Sequence, residues 1–166
     1  MAPVRIDTSH FSPDTQAFLA VVSKHQVRYL IVGGEAVIFH GYARLTGDVD
    51  FFYARDGANV QRLFDALEEF WAGDIPGIKT AAELATPGVI VQFGVPPNRI
   101  DLINEVDGVE FDRAWPARVE AAITSTTGEA TIYYMGLNDL IKNKQLAGRP
   151  KDLDDLAYLK RAQERR

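Results

Sequence analysis

The chain has 166 residues and 18.4 kDa, with 18 basic against 23 acidic side chains and no cysteine. That length suits one domain, able to bury roughly 70% of its unfolded surface without a staple. Zero cysteine excludes disulfides, thiolate metal sites and thiol nucleophiles, and a net charge of −5 argues against a nucleic-acid-binding surface spread over the whole protein.

In chain order, Ser12-Pro13 ahead of an apolar-periodic run reads as a helix start, a side-chain cap followed by proline in the first turn. The helix is expected from Pro13 to Lys24, with Phe18, Leu19, Val21 and Val22 inward. Val27 to Val32 is a short buried strand rich in β-branched residues. It ends at Gly33-Gly34, and Glu35 to His40 follows as a short helix closed by Gly41. Asp48 to Tyr53 is a second strand. Asp56-Gly57 turns the chain into an amphipathic helix from Asn59 to Phe70, with Val60, Leu63, Phe64, Leu67 and Phe70 on one face. Ala72 to Pro87 reads mostly as loop.

Val89 to Val95 and Arg99 to Asn104 form two strands, paired as an antiparallel hairpin across Pro96-Pro97-Asn98. Asp107-Gly108 is another turn. Ala130 to Met135 is a last strand. Leu137 to Leu146 and Asp152 to Gln163 are helices, separated by Gly148-Arg149-Pro150. The pattern predicts an α/β (α+β) fold, one mixed β-sheet flanked by helices with a helical C-terminal end. We expect a single domain over 1–166, with its core at about 27–135 and the helical segment at about 136–166.

The densest chemistry runs from Gly33 to Asp50. Side chains two apart on a strand share a face, so the Asp48 and Asp50 carboxylates meet at the start of their strand. Like charges this close call for a positive partner, and hard oxygen ligands favour Mg²⁺ (or Mn²⁺). Asp101 breaks an otherwise apolar strand and is the candidate third carboxylate of a two-metal clamp. A strand-edge turn with solvated carboxylates fits Asp48 and Asp50 equally well, because Asp-x-Asp alone is a weak motif. Gly33-Gly34 is a turn that lets backbone approach a ligand. It also fits a plain tight turn requiring positive φ.

Gly33-Gly34, His40-Gly41, Arg44, Thr46 and Asp48-Val49-Asp50 together resemble the nucleotidyltransferase superfamily. More narrowly, they resemble the small nucleotidyltransferase-like proteins related to abortive-infection and type IV toxin–antitoxin toxins. Leu140-Ile141, Lys144, Gly148-Arg149-Pro150-Lys151-Asp152-Leu153 and Asp155-Leu156 are similar to that group's closing motif. The resemblance implies a transfer of a nucleoside monophosphate from an NTP to an acceptor hydroxyl, on an RNA end, a protein or a small molecule. It implies catalytic and metal roles for Asp48, Asp50 and Asp101, and backbone contacts from Gly33 and Gly34 to the triphosphate. It also implies a toxin role with an antitoxin partner protein. Many members carry serine where this chain has Gly34, and Glu35 adds a negative charge beside the expected phosphates.

Arg44 and Thr46 flank the carboxylate strand. Arg44 suits a bidentate phosphate contact or a salt bridge to a nearby aspartate. Lys144 and Arg149 suit charge neutralisation on the leaving phosphates or a solvated face. Asp152 reads as the cap of the last helix, His40 as a packed histidine, and Tyr133, Tyr134, Trp71 and Trp115 as core. A nucleotide-, RNA- or protein-binding module without turnover is the alternative function, and a sugar-nucleotide glycosyltransferase ranks below both. No apolar run reaches the ~18 residues of a membrane span. Met1 to Arg5 lacks a signal-peptide layout, so the expected location is the cytoplasm, with no membrane partner.

The charge is uneven. Lys142 to Arg166 carries 8 basic and 4 acidic residues, leaving the preceding segment with 10 and 19. An acidic body thus precedes a basic tail suited to a polyanion such as a triphosphate or an RNA end.

Overall fold

A computed structural model describes residues 4–42, 48–125 and 128–165. Its elements are β1 (Val4–Arg5), a 3-10 turn at Thr8–His10, α1 (Pro13–Lys24), β2 (Tyr29–Val32), α2 (Gly33–Phe39), β3 (Asp48–Tyr53), α3 (Gly57–Phe70) and α4 (Ala81–Ala85). There follow β4 (Ile90–Phe93), β5 (Arg99–Ile103), α5 (Phe111–Ala114) with a 3-10 turn at Trp115–Ala117, β6 (Val119–Ser125), β7 (Gly128–Tyr134), α6 (Leu137–Ala147) and α7 (Pro150–Glu164). The fold is mixed α/β. None of the described helices is long and apolar enough to cross a membrane.

The seven strands form one sheet in the order β1-β6-β7-β2-β3-β5-β4. β2 runs antiparallel to β3 and parallel to β7; β3 runs parallel to β5; β4 and β5 form the expected antiparallel hairpin. All four residues of β2 are buried, as a strand covered on both faces requires. The alternation within β3 is what matters for function. Val49, Phe51 and Tyr53 share one face, and Asp48, Asp50 and Phe52 the other. Phe51 meets Phe18 of α1 edge-on at 5.1 Å, and Phe18 meets Phe70 of α3 at 5.5 Å. One face of β3 is therefore clamped by two helices, while the carboxylate face opens into a cleft.

Local chemistry sets the helix ends. The Ser12 hydroxyl accepts the Thr15 amide, and the Asp56 carboxylate accepts the Asn59 amide, so both N-termini are capped. Gly148 ends α6 in the left-handed conformation at φ 65°, the C-terminal device that glycine supplies without steric cost. α3 is longer than its apolar pattern because Asp56 caps it at Gly57.

Several elements differ from expectation. Gly33 and Gly34 form the first turn of α2 rather than a turn before it. The Ala72–Pro87 region contains α4, held by a capping box between Thr80 and Glu83. β6 was not foreseen: its Val-Glu-Ala-Ala core has weak strand propensity, and it is held as a strand by β1 on one side and β7 on the other. The β1 pairing is too short to leave a periodic signal.

Asn59, fully buried, ties α3 to the sheet. Its Oδ1 accepts the Arg28 amide at 2.7 Å, and its Nδ2 donates to the carbonyls of Arg28 at 3.0 Å and Ala54 at 2.9 Å. Replacement by alanine strands these backbone groups in the core. Asn59→Ala is expected to lower stability by about 2–3 kcal/mol, seen in urea unfolding as a lower midpoint with an unchanged slope.

Candidate active site

The parallel pairing of β3 with β5 builds the site. Its register places Asp48 beside Arg99 and Asp50 beside Asp101. Because strand side chains alternate, these four residues project from one face as a square of three carboxylates and one guanidinium. Ligand oxygens of Asp48, Asp50 and Asp101 all lie within 4.8 Å of one another. The two-residue spacing in sequence thus becomes a convergent cluster, with Asp101 supplied by the neighbouring strand as expected.

Arg99 was missed, although Arg-x-Asp on β5 has the same two-residue spacing as Asp-x-Asp on β3. Its Nε donates to Asp101 Oδ1 at 2.9 Å and its Nη2 to Asp101 Oδ2 at 3.1 Å. The same Nη2 donates to Asp48 Oδ2 at 2.7 Å. This is the forked grip on a carboxylate that only arginine provides. Hydrogen bonds to Asp101 and then Asp48 hold the Arg99 guanidinium above its ordinary pKa.

The three carboxylates divide electrostatically. Burial, then the charges of Asp48 and Asp101, push the Asp50 carboxyl from 3.8 up to about 7. Burial would also raise Asp48, but hydrogen bonding with Asp101 and Arg99 outweighs it and holds that carboxyl below the usual range. Asp101 is raised, burial and the nearby Asp48 prevailing over its bonds to Arg99. One guanidinium does not neutralise three carboxylates.

Gly33 explains how Asp50 fits. It sits at φ 65°, and a Cβ built there would collide with the Asp50 carboxylate. The missing side chain therefore makes room for a carboxylate, a role separate from the phosphate approach expected for it. Gly34 follows in the first turn of α2. Glu35 is buried rather than facing solvent, its Oε2 2.7 Å from Nε2 of His10, so its charge is directed to the N-terminal segment.

Beside the carboxylates lies an open cleft of about 1080 Å³, lined by Gly33, Asp50, Arg55, Asn104, Asp107 and Arg149 among others. Asn104 braces its wall, donating to Tyr53 Oη and to the carbonyls of Leu84 and Thr86 and accepting the Gly88 amide. Arg149 reaches the cleft with its side chain 65% exposed. Its Nε donates to Asp152 Oδ2 at 2.6 Å.

Lys144 lines the same cleft, but buried in an ion-pair network rather than on a solvated face. It was expected either at the phosphates or on a solvated face. It is 3% exposed, with Nζ 3.1 Å from both Asp152 Oδ1 and Asp155 Oδ2. A buried ammonium must be paired, and this one is committed to two carboxylates that lock α6 to α7. Asp152 is not the cap expected of it: Arg149 is the N-cap of α7, and Asp152, the third helical residue, accepts the Arg149 amide at 3.2 Å in a capping box. Arg44 and Thr46 lie outside the described residues. His40 is a packed histidine, its Nε2 2.9 Å from the Met135 carbonyl oxygen. Tyr134 is in the core, and Trp71, Trp115 and Tyr133 pack against it.

The raised Asp50 pKa has a stability consequence. A carboxyl raised on folding favours the folded state while protonated and loses that contribution as pH climbs through about 7. In metal-free protein, Asp50→Asn is expected to raise the melting temperature at pH 8, with the gain shrinking towards pH 5. Thermal unfolding across that range checks the trend.

Among curated protein sequences, none matches the chain. A family profile described as nucleotidyltransferase of unknown function (DUF6036) matches residues 13–160, which include every strand from β2 to β7 and all three aspartates. The chain belongs to that nucleotidyltransferase family.

Proposed function

We propose that the protein is a metal-dependent nucleotidyltransferase that moves a nucleoside monophosphate from an NTP to an acceptor hydroxyl. The observation that carries this proposal is the convergence of Asp48, Asp50 and Asp101 beside Gly33 at the mouth of an open cleft. Three hard carboxylate oxygens within one small volume, only partly compensated by Arg99, suit Mg²⁺ or Mn²⁺ in kind and in charge. When bound, such an ion polarises the α-phosphate and offsets charge on the departing pyrophosphate.

The chain's own groups supply the rest. Asp48 and Asp50 hold the cation. Asp101 completes that ligand set or takes the proton of the attacking hydroxyl. The acceptor oxygen bonds to the α-phosphorus as the bond from that phosphorus to the bridging oxygen breaks, and pyrophosphate leaves with the electron pair. Backbone at Gly33 and Gly34 contacts the triphosphate. Arg149, exposed in the cleft and braced by Asp152, offers a guanidinium to a phosphate, and Arg44 and Thr46 fill out the same role from the segment preceding β3. Lys144 acts through Asp152, fixing the base of Arg149.

For the acceptor, Glu105, Asp107, Glu110 and Asp112 along the cleft disfavour a long polyanion. This supports a protein hydroxyl or a small molecule ahead of an RNA end. A nucleotide substrate and a cysteine-free chain fit a cytoplasmic setting. Growth arrest on induced expression, relieved by a co-expressed antitoxin, is the further role that the toxin resemblance suggests. One observation favours the alternative of a nucleotide-binding module without turnover: Arg99 occupies oxygens of two of the proposed ligands.

The test uses radiolabelled NTPs with Mg²⁺ or Mn²⁺ and a cell lysate as acceptor source. Wild type is expected to give a labelled product, and Asp48→Ala and Asp101→Asn to lose it by about 10²-fold or more. Equal labelling by Asp48→Ala would sink the transferase. Calorimetry that finds tight binding of Mg·NTP without any transfer would support the binding module.

A further inference from the structure

We propose that Arg99 is a built-in counter-ion that competes with the divalent cation for the aspartate site, so that metal enters only by displacing it. This inference rests on the metal-dependent reading above and concerns how the site is kept before metal arrives.

The geometry points to direct competition. The guanidinium takes both oxygens of Asp101, at 2.9 and 3.1 Å, and Oδ2 of Asp48 at 2.7 Å. A metal held between these aspartates would need lone pairs on the same carboxylates. A carboxylate gripped by a two-pronged guanidinium has its best-directed lone pairs already engaged. Arginine keeps its charge throughout the working pH range, so deprotonation does not relieve the competition. The side chain has to move.

Movement is open to it. Arg99 is the first residue of β5 and its side chain is 30% exposed, so swinging outward returns its head to water. Charge favours the exchange: one guanidinium faces three carboxylates, whereas a divalent ion supplies twice its charge. Against this stands the loss of three charge-assisted hydrogen bonds. The arrangement holds the cluster together and offsets part of its charge, and it weakens the affinity for free metal by the cost of releasing Arg99. Arg99 is in this sense a positioning residue, since it acts on the ligands and not on substrate.

The experiment is a calorimetric titration of the full chain with MnCl₂ at fixed pH and salt, comparing wild type, Arg99→Gln and Arg99→Lys. Asp48→Ala serves as the control that abolishes the site. Arg99→Gln is expected to bind Mn²⁺ about tenfold or more tightly than wild type. Arg99→Lys, which keeps the charge but loses the fork, is expected to fall between them. Metal-free Arg99→Gln should melt below wild type, and Mn²⁺ should raise its melting temperature by more than it raises that of wild type.

Should Arg99→Gln not fold, Arg99→Lys still decides. Affinity in the folded variants equal to or weaker than wild type overturns the role of Arg99 while leaving the metal site standing. Absence of Mn²⁺ binding in all of them, wild type included, overturns the metal site itself and this inference with it.

Discussion

Three carboxylates within 4.8 Å of one another are the constraint on which the rest of the structure turns. Burying even one such charge without a partner is expensive, and bringing three together adds mutual repulsion. The fold answers this at several levels at once. The parallel register of β3 and β5 sets Arg99 directly beside Asp48, burial and the neighbouring carboxylates push the Asp50 carboxyl up to about 7, and Gly33 leaves space for the Asp50 carboxylate. None of these would be needed if the aspartates were merely capping a solvated strand edge. A cluster so costly to assemble is a reasonable place to expect function.

The opposite face of the sheet shows why the cluster stays in register. Phe51 lies between Asp50 and Phe52 in sequence but points away, into the contact with Phe18 and through it to Phe70. A one-residue slip of β3 would turn Phe51 towards the cleft and the aspartates into the core. The aromatic contacts therefore hold the carboxylates in place without touching them. Asn59 adds to this by fixing the start of α3 to the backbone at Arg28 and Ala54, the residues flanking β2 and β3.

Much of this was legible in the sequence, for identifiable reasons. Strands β2 and β3, helices α1, α3, α6 and α7, and the β4–β5 hairpin each combine hydrophobic periodicity with a cap or a turn residue, so two independent signals agree. β6 and α4 lack that agreement. The alanines of β6 suit a helix as well as a strand and are decided by their neighbours, and α4 is too short for its period to register. At the site, Asp48, Asp50 and Asp101 were visible because acidic residues interrupt apolar strands. The clamp by Arg99 was not seen, since the register between two strands 51 residues apart is a tertiary fact. The burial of Lys144 was not legible for a related reason: its partners Asp152 and Asp155 lie on the next helix, and a lysine on a polar-looking helix gives no sign of being buried.

The uneven charge takes on a structural meaning once those partners are known. Within the tail, Asp152 and Asp155 pair with Lys144, and Asp152 also braces Arg149. What remains is directed. Lys151 helps to lower the Asp48 pKa, after burial and the bonds to Asp101 and Arg99 have acted, and the charge of Asp50 is felt at Arg149. The start of α7 is thus turned towards the aspartates of β3, about a hundred residues earlier in the chain. An acidic body and a basic end are the two halves of one electrostatic arrangement, in which the last helix brings cations to a site that the first half of the chain leaves overcharged. Lys144 ties α6 to α7 from within, through its two buried ion pairs.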